Sequence, residues 1–405
     1  MIFEEGAMKR NLIFFSISVI VIFSIAVGLS ASTAQARQQA AQPEVALNQP
    51  SWMQVNTNGF GNPDNEGIFG LEVFNDHLYA TSGNWQIGAQ VWRLETNGTW
   101  VAVSEPGFGS SYGNQNPSIP DMTVFNGNLY AGTGWGGFAG QVWRSPDGST
   151  WNLVASSGFG NSNNLGVAAL GTFKGFIYAG TIFNSNGTNG LEIWRSATGN
   201  PGDWQKVVTG GKGNTYNYIV TSFTGFGDYF YAAIENMHDG AEIWRTDNGT
   251  TWSTVSSGGF GDADNTQTGG MTIYNGYLYV GTRNVVTGAQ LYRTTNGTTW
   301  DPVIDDGFGD LDNFKIEMIY AWNGSLFAGT DNNLTGVEVW QSMDGLIWHQ
   351  INRDGFGDSN NLTVLWNSST IGYNHNLYIG TLNNVTGGEI WRTVYNPICL
   401  PLVVR

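Results

Sequence analysis

The stretch Gly259-Phe260-Gly261-Asp262-Ala263-Asp264-Asn265, followed by Asn275-Gly276, Leu278-Tyr279-Val280-Gly281-Thr282, Leu291-Tyr292-Arg293-Thr294 and Asn296-Gly297-Thr298-Thr299-Trp300, is one unit of about fifty residues, and it recurs seven times between residues 51 and 396. Its first aromatic stands at Phe60, Phe108, Phe159, Phe260, Phe308 and Phe356, with Lys212 in that place in the fourth copy. Its last Trp recurs at Trp52, Trp100, Trp151, Trp204, Trp252, Trp300 and Trp348. Trp52 precedes the first Phe, and the chain ends after Trp391 without another copy of the last segment.

Each unit reads as four short strands rich in aromatic and β-branched residues, bounded by Gly, Asn and Asp turns. Strand A ends near Phe74, Phe125, Phe173, Phe223, Tyr274, Trp322 and Ile371; strand B carries Tyr79, Tyr130, Tyr178, Tyr231, Tyr279, Phe327 and Tyr378. Strand C carries Trp92, Trp143, Trp194, Trp244, Tyr292, Trp340 and Trp391, and strand D the Trp series. Four strands per period of this length are the pattern of a propeller blade. An open stack would expose strand edges at both ends. The expected fold is therefore an all-β, seven-bladed β-propeller of four-stranded antiparallel blades, its ring closed by residues 51–56 completing the last blade. Alternation of strand direction puts the D-to-A and B-to-C loops on one face, the expected functional face.

The 57 Gly and 17 Trp suit such a repeat, and the single Cys399 excludes an intramolecular disulfide. Met8-Lys9-Arg10, the apolar run from Leu12 to about Leu29, and Ala34-Gln35-Ala36 have the three parts of a secretory signal, so residues 1–36 are expected to be removed on export. The same apolar run leaves an uncleaved membrane anchor as the alternative. Residues 37–50 then form a flexible lead-in, residues 51–396 the ring, and residues 397–405 an apolar tail too short to span a membrane. The expected location is secreted or at the cell-envelope surface, as a monomer without a membrane span. A net charge of −16 disfavours nucleic acid and anionic lipid as partners.

The corners Arg144-Ser145-Pro146-Asp147-Gly148-Ser149-Thr150-Trp151, Arg245-Thr246-Asp247-Asn248-Gly249-Thr250-Thr251-Trp252 and Arg293-Thr294-Thr295-Asn296-Gly297-Thr298-Thr299-Trp300 resemble degenerate Asp-boxes, the repeat of bacterial neuraminidase (sialidase) propellers. The resemblance implies the fold, with the box on the C-to-D turn and its Asp satisfying backbone groups of that turn. Asp247 stands at the family's Asp position, where other copies have Pro146, Thr295 or Met343. A sialidase site in that family needs three converging Arg. Here Arg93, Arg144, Arg195, Arg245, Arg293 and Arg392 share one repeat position, which leaves Arg283 and Arg353 for the loop face. Sialidase activity is not expected.

Residues that depart from the repeat on the loop face are free to serve a ligand. Trp85 and Trp135 fall outside the strand bookkeeping, and with Tyr112, Phe138 and Phe183 they suggest an aromatic rim of the kind that stacks on sugar rings. The expected function is a non-catalytic binding or adhesion module for extracellular glycan or a cell-surface partner. The alternative is a glycoside hydrolase-like enzyme using Glu235 and Asp239, which replace the usual Thr-x-Asn-x-x-Thr of the B-to-C loop in the fourth copy, where Tyr216 and Tyr218 also appear. No cofactor is expected, with calcium as an alternative: Asp262, Asp264, Asp310, Asp312 and Asp358 offer oxygens at alternate positions. The same residues equally cap turns through their own side chains. His77, His238, His349 and His375 occupy different repeat positions and suggest no zinc cluster.

Overall fold

The computed structural model describes residues 50–109, 116–134, 139–183 and 189–394. Residues 1–36, expected from the sequence to be an export signal, the lead-in up to residue 49 and the C-terminal tail lie outside them. The described residues form an all-β structure of curled antiparallel sheets with a propeller-like arrangement. Each sequence repeat supplies strands in the hydrogen-bonded order A-B-C-D; in repeat 4 these are Asn217–Phe226, Tyr229–Asn236, Glu242–Thr246 and Ser253–Ser256. In repeat 7 they are Thr370–Tyr373, Asn376–Gly380 and Ile390–Val394, with Ser51–Gln54 as the fourth, Trp52 lying opposite Thr393.

A buried asparagine fixes the D-to-A turn in every repeat. The side-chain amides of Asn65, Asn116, Asn164, Asn217, Asn265, Asn313 and Asn361 donate to the carbonyls of Gly59, Gly107, Gly158, Gly211, Gly259, Gly307 and Gly355 at 2.8–3.1 Å. The clamp holds the next residue, Phe60 through Phe356 or Lys212, at φ of 56–64°, a left-handed conformation that costs a bulky residue roughly 1–2 kcal/mol. Ring stacking offsets this. Phe60 lies on Trp92 at 4.2 Å and 8°, Phe308 on Trp340 at 4.7 Å and 9°, and each meets the strand D Trp of the same repeat edge-on. In repeat 4 the Lys212 ammonium sits 4.8 Å from the Trp244 ring centre, so a cation replaces the stacked ring.

Repeat 7 assembles the same group from both ends of the chain. Phe356 stacks on Trp391 at 4.7 Å and meets Trp52 edge-on at 5.2 Å. The Trp52 indole donates to the Ile351 carbonyl of repeat 6, and Trp100 of repeat 1 donates to the Val55 carbonyl just past the terminal strand. Apolar clusters form between neighbouring repeats; one joins Phe74, Tyr79 and Val91 of repeat 1 to Ile119, Met122 and Leu129 of repeat 2. Another joins Ile68, Leu71 and Leu78 of repeat 1 to Tyr378 and Ile390 of repeat 7.

The segment Trp366–Ser369 before the short A strand of repeat 7 runs between the inner strands of the other repeats. The Ser368 hydroxyl donates to the carbonyls of Phe69 and Pro120, and Asn367 Oδ1 accepts from the Ile319 amide. Trp366 packs against Ala168, Ile182 and Ile219. Its backbone, at φ 60° and ψ 153°, lies in a region that essentially only glycine occupies. The repeat pattern of the sequence carries no sign of this crossing.

Two outcomes check this packing. Trp52→Ala is expected to cost about 3 kcal/mol in denaturant unfolding, matching Trp300→Ala inside an ordinary repeat; a loss under about 0.5 kcal/mol would mean that the terminal strand is dispensable. Asn265→Ala strips partners from Gly259, Thr282 and Asn284 and is expected to cost roughly 2–4 kcal/mol.

Candidate functional site

The loop-face ends of strands A and B converge, and equivalent positions can be compared around the repeats. Opposite pairs are Gly67 and Gly83, Ser118 and Gly134, Gly166 and Ile182, Ile219 and Glu235, Gln267 and Arg283, Lys315 and Asp331, then Thr363 and Leu382. Repeats 1 to 3 are small or apolar there, whereas repeats 4 to 6 are charged. Glu317, one step deeper, pairs with Lys315, and Asp331 accepts from the Thr363 hydroxyl. Glu317 also accepts from the Trp366 backbone amide. The result is a half-ring of Glu235, Arg283, Lys315, Glu317 and Asp331 at the mouth of the inner strands.

Burial sets the electrostatics of this mouth. Desolvation pushes the Glu235 carboxyl up to about 7, with Lys315 and Arg283 pulling it back. The Asp331 carboxyl is also pushed up to about 7, by burial and then by the Glu317 charge. Burial disfavours the Lys315 ammonium, but Glu317, Asp331 and Glu235 outweigh it and hold its pKa above the usual lysine value. Burial lowers Arg283, whose guanidinium lies 5.8 Å from the Phe314 ring centre. Deeper between repeats 1 and 2, burial pushes Glu72 to about 7 and Asp121 to about 8, although Asp121 accepts from the Leu170 amide at 2.7 Å.

Repeat 4 adds an aromatic platform beside the mouth. Tyr216, 37% exposed, stacks on His238 at 4.1 Å and 6°, and meets Tyr218 edge-on at 6.3 Å. His238 Nδ1 contacts Asp239 at 2.7 Å, and Asn214 donates to the other Asp239 oxygen. His238 first, then Asn214, hold the Asp239 carboxyl below the usual carboxylate range. Burial, then Tyr216 and the Glu235 and Asp239 charges, raise the pKa of the Tyr218 hydroxyl. Glu235 and Asp239 are thus the buried and the exposed member of one corner, with opposite shifts; they do not face each other as equivalents.

The aromatic rim fares differently. Trp85 is half-buried at the start of its turn, next to Asn84, whose side chain accepts from the amides of Gln86 and Ile87. Tyr112, Trp135 and Phe138 lie outside the described residues. Phe183 is not a rim residue: it is 3% exposed and packs with Leu191, Ile193 and Val208. Strand B of repeat 3 runs through Phe183, which takes the register place held by Asn84 and Asn236. Those asparagines donate to the clamp residues Asn65 and Asn217; Phe183 cannot, and Asn164 Oδ1 has no hydrogen-bond partner among the described residues.

The candidate calcium loops use their oxygens for turns. Asp262 accepts from the Asp264 amide, Asn284 and Gln290; Asp310 from the Asp312 amide and Asn332; Asp358 from the Asn360 amide and Asn383. Asp264 and Asp312 are exposed at the loop tips. Among the described residues no group of three or more His, Cys, Asp or Glu is placed to hold a metal. At the C-to-D corners the turn acceptor is the residue just before the Gly, not Asp247: Asp147 accepts from the amides of Ser149 and Thr150, and Asn248, Asn296 and Asp344 act likewise. A shallow groove of about 430 Å³ on the strand D side, lined by Val103, Glu105, Trp143 and Trp151, carries none of the mouth residues.

No protein-family model matches the chain, and no curated protein matches it. Solved structures similar to it include a prolyl endopeptidase, at 11% identity and TM-score 0.53, covering 85% of this chain and 51% of that one. A protein described as a 6-phosphogluconolactonase from Bacteroides uniformis matches at 11% identity and TM-score 0.48, over 68% of this chain and 80% of that chain. A Trypanosoma rangeli sialidase in complex with sialic acid matches at 13% identity and TM-score 0.41, over 75% and 56%. This chain spans about half the length of the prolyl endopeptidase, and that resemblance is one of fold alone.

The raised carboxyls give a signed pH dependence. Glu235, Asp331, Glu72 and Asp121 bind protons more tightly folded than unfolded, so their stabilising effect is full below about pH 4 and is lost as pH rises through 7 to 8. Unfolding free energy is expected to fall between pH 5 and 8, by up to about 1.4 kcal/mol per pH unit for each group. Asp121→Asn keeps an acceptor for the Leu170 amide and should flatten this decline; an unchanged slope in chemical denaturation would remove Asp121 from the account.

Proposed function

We propose that this chain is an exported, closed seven-bladed β-propeller, with residues 51–56 completing the last blade, that binds extracellular glycan without catalysing a reaction. The ligand lies on the loop face at repeat 4, over Tyr216, Tyr218 and His238, beside the charged mouth. The platform carries this reading. An exposed ring face suits a pyranose, and Asp239 next to it is an ionised acceptor for sugar hydroxyls. Arg283 and Gln267 supply donors from repeat 5. Trp85 contributes a rim contact from repeat 1. Export rests on the sequence of the first 36 residues; among the described residues no helix is long and apolar enough to cross a membrane.

A second reading, a glycoside hydrolase-like enzyme, is favoured by one observation. Glu235 is pushed to about 7 and Asp239 is held low, the divergence that assigns an acid and an ionised partner in carboxylate pairs. Against it, Glu235 is 6% exposed and surrounded by Lys315, Arg283 and Glu317, a setting that balances charge more than it offers a proton to substrate.

A glycan array with a parallel hydrolysis assay separates the two. Binding without turnover is expected, with Tyr216→Ala plus Tyr218→Ala weakening it at least tenfold while circular dichroism stays unchanged. Full affinity in that double variant would remove the platform as the site. Turnover abolished by Glu235→Gln would establish the enzymatic reading instead.

A further inference from the structure

The C-to-D corners of successive repeats are bonded to one another on the face opposite the loops. In five repeats the strand B Tyr of one repeat meets the corner Gly of the next: a Cβ at Gly148, Gly199, Gly249, Gly297 or Gly345 would stand 1.8–2.1 Å from the hydroxyl of Tyr79, Tyr130, Tyr178, Tyr231 or Tyr279. The strand C Arg follows the same direction. Arg144 donates to Asn200, Arg195 to the Asn248 carbonyl and Arg245 to the Asn296 carbonyl, each in the next corner.

Repeat 6 breaks this pattern at both positions. Phe327 replaces the Tyr, and Gln341 replaces the Arg and turns back to the Ser325 hydroxyl. The reason lies in repeat 7, which has no C-to-D turn: its strand C ends at Val394, and its D strand is Ser51–Gln54 from the other end of the chain. Where the next corner is missing, the two side chains that would bond it are missing too. In its place the chain continues as Tyr395-Asn396-Pro397-Ile398-Cys399-Leu400-Pro401-Leu402-Val403-Val404-Arg405.

The corner of repeat 6 is also the apolar one. Met343, Leu346 and Ile347 are 59%, 51% and 51% exposed, at positions where repeat 5 has Thr295, Thr298 and Thr299 and repeat 2 has Pro146, Ser149 and Thr150. Their turn is otherwise ordinary, with Asp344 accepting from the amides of Leu346 and Ile347. On the other side of the tail's origin, the corner of repeat 1 is polar, with Glu95 paired to Arg93 and Asn97 accepting from Thr99.

We infer that the apolar segment after Val394 docks on the corner of repeat 6, covering Met343, Leu346 and Ile347 in place of the missing C-to-D contacts. Five residues from Val394 to Cys399 span at most about 17 Å, enough to cross the roughly 10 Å between packed sheets. The occupant is this chain's own tail, because it starts at the register position of the missing turn and matches the corner in apolar character.

The single cysteine makes the docking measurable in the full chain. In Ile347→Cys, mild oxidation is expected to link Cys399 to the introduced thiol at least tenfold faster than in Thr96→Cys, whose thiol sits on the polar corner of repeat 1. Equal rates would overturn the docking, and a link between two chains would assign the corner to a second copy instead. An independent readout avoids oxidation: with Met343→Thr, Leu346→Thr and Ile347→Thr, restoring polar residues of the kind other repeats carry, Cys399 should react with a soluble thiol reagent at least fivefold faster than in the unaltered chain. An unchanged rate would also overturn the inference.

Discussion

The fold depends on one buried amide per repeat. The asparagine that closes the Gly-Phe-Gly turn donates to the turn carbonyl, and in repeats 5, 6 and 7 its oxygen accepts from the strand B Thr and from the Asn that opens the B-to-C turn. A buried amide oxygen left without a donor costs about 1–3 kcal/mol, so these partners add to what holds the turn. The network therefore fixes three segments at once. With the turn fixed, the following Phe is held in a left-handed conformation and delivered onto the strand C ring, which orders the outer half of the same repeat.

Because this scaffold recruits the same letters each time, the departures carry information. Repeat 3 gives up the second Asn for Phe183 and gains apolar burial while stranding an acceptor on Asn164. Repeat 4 gives up a stacked Phe for Lys212, whose pKa burial lowers, and opens its loops with Tyr216, His238 and Asp239. Repeats 4 to 6 place charge at the mouth, where repeats 1 to 3 place glycine and aliphatic residues. Three carboxyls and two cations in so little space are tolerated because they compensate one another; a lone buried charge there would neutralise.

The strand pattern and the pairing of the first segment with the last were legible in the sequence, because aromatic period and phase are carried by single letters such as Trp52 and Trp391. Glu235 was legible too, as an acidic residue in the copy whose Thr-x-Asn phrase reads Ile234-Glu235-Asn236. Arg283 and Asp331 occupy the matching place, but the mouth they form with Lys315 exists only once strands are paired across repeats, and register is invisible to a period. Phe183 misled because the strand runs past the end of its repeat phrase at Thr181 and through residue 183, turning an apparent rim aromatic into core. The crossing at Trp366–Ser369 has no sequence signature at all: its backbone is one that Trp rarely adopts, held by carbonyls and amides of other repeats.

The proposed ligand surface is the loop face at repeats 4 to 6. A crystal structure of the full chain with an array-identified oligosaccharide tests it most directly. Density is expected for a sugar ring stacked on the Tyr216 and Tyr218 platform, with hydroxyls reaching Asp239 and the Arg283 side of the mouth. Density confined to the opposite face, or to the Trp85 edge with the platform bare, would contradict it.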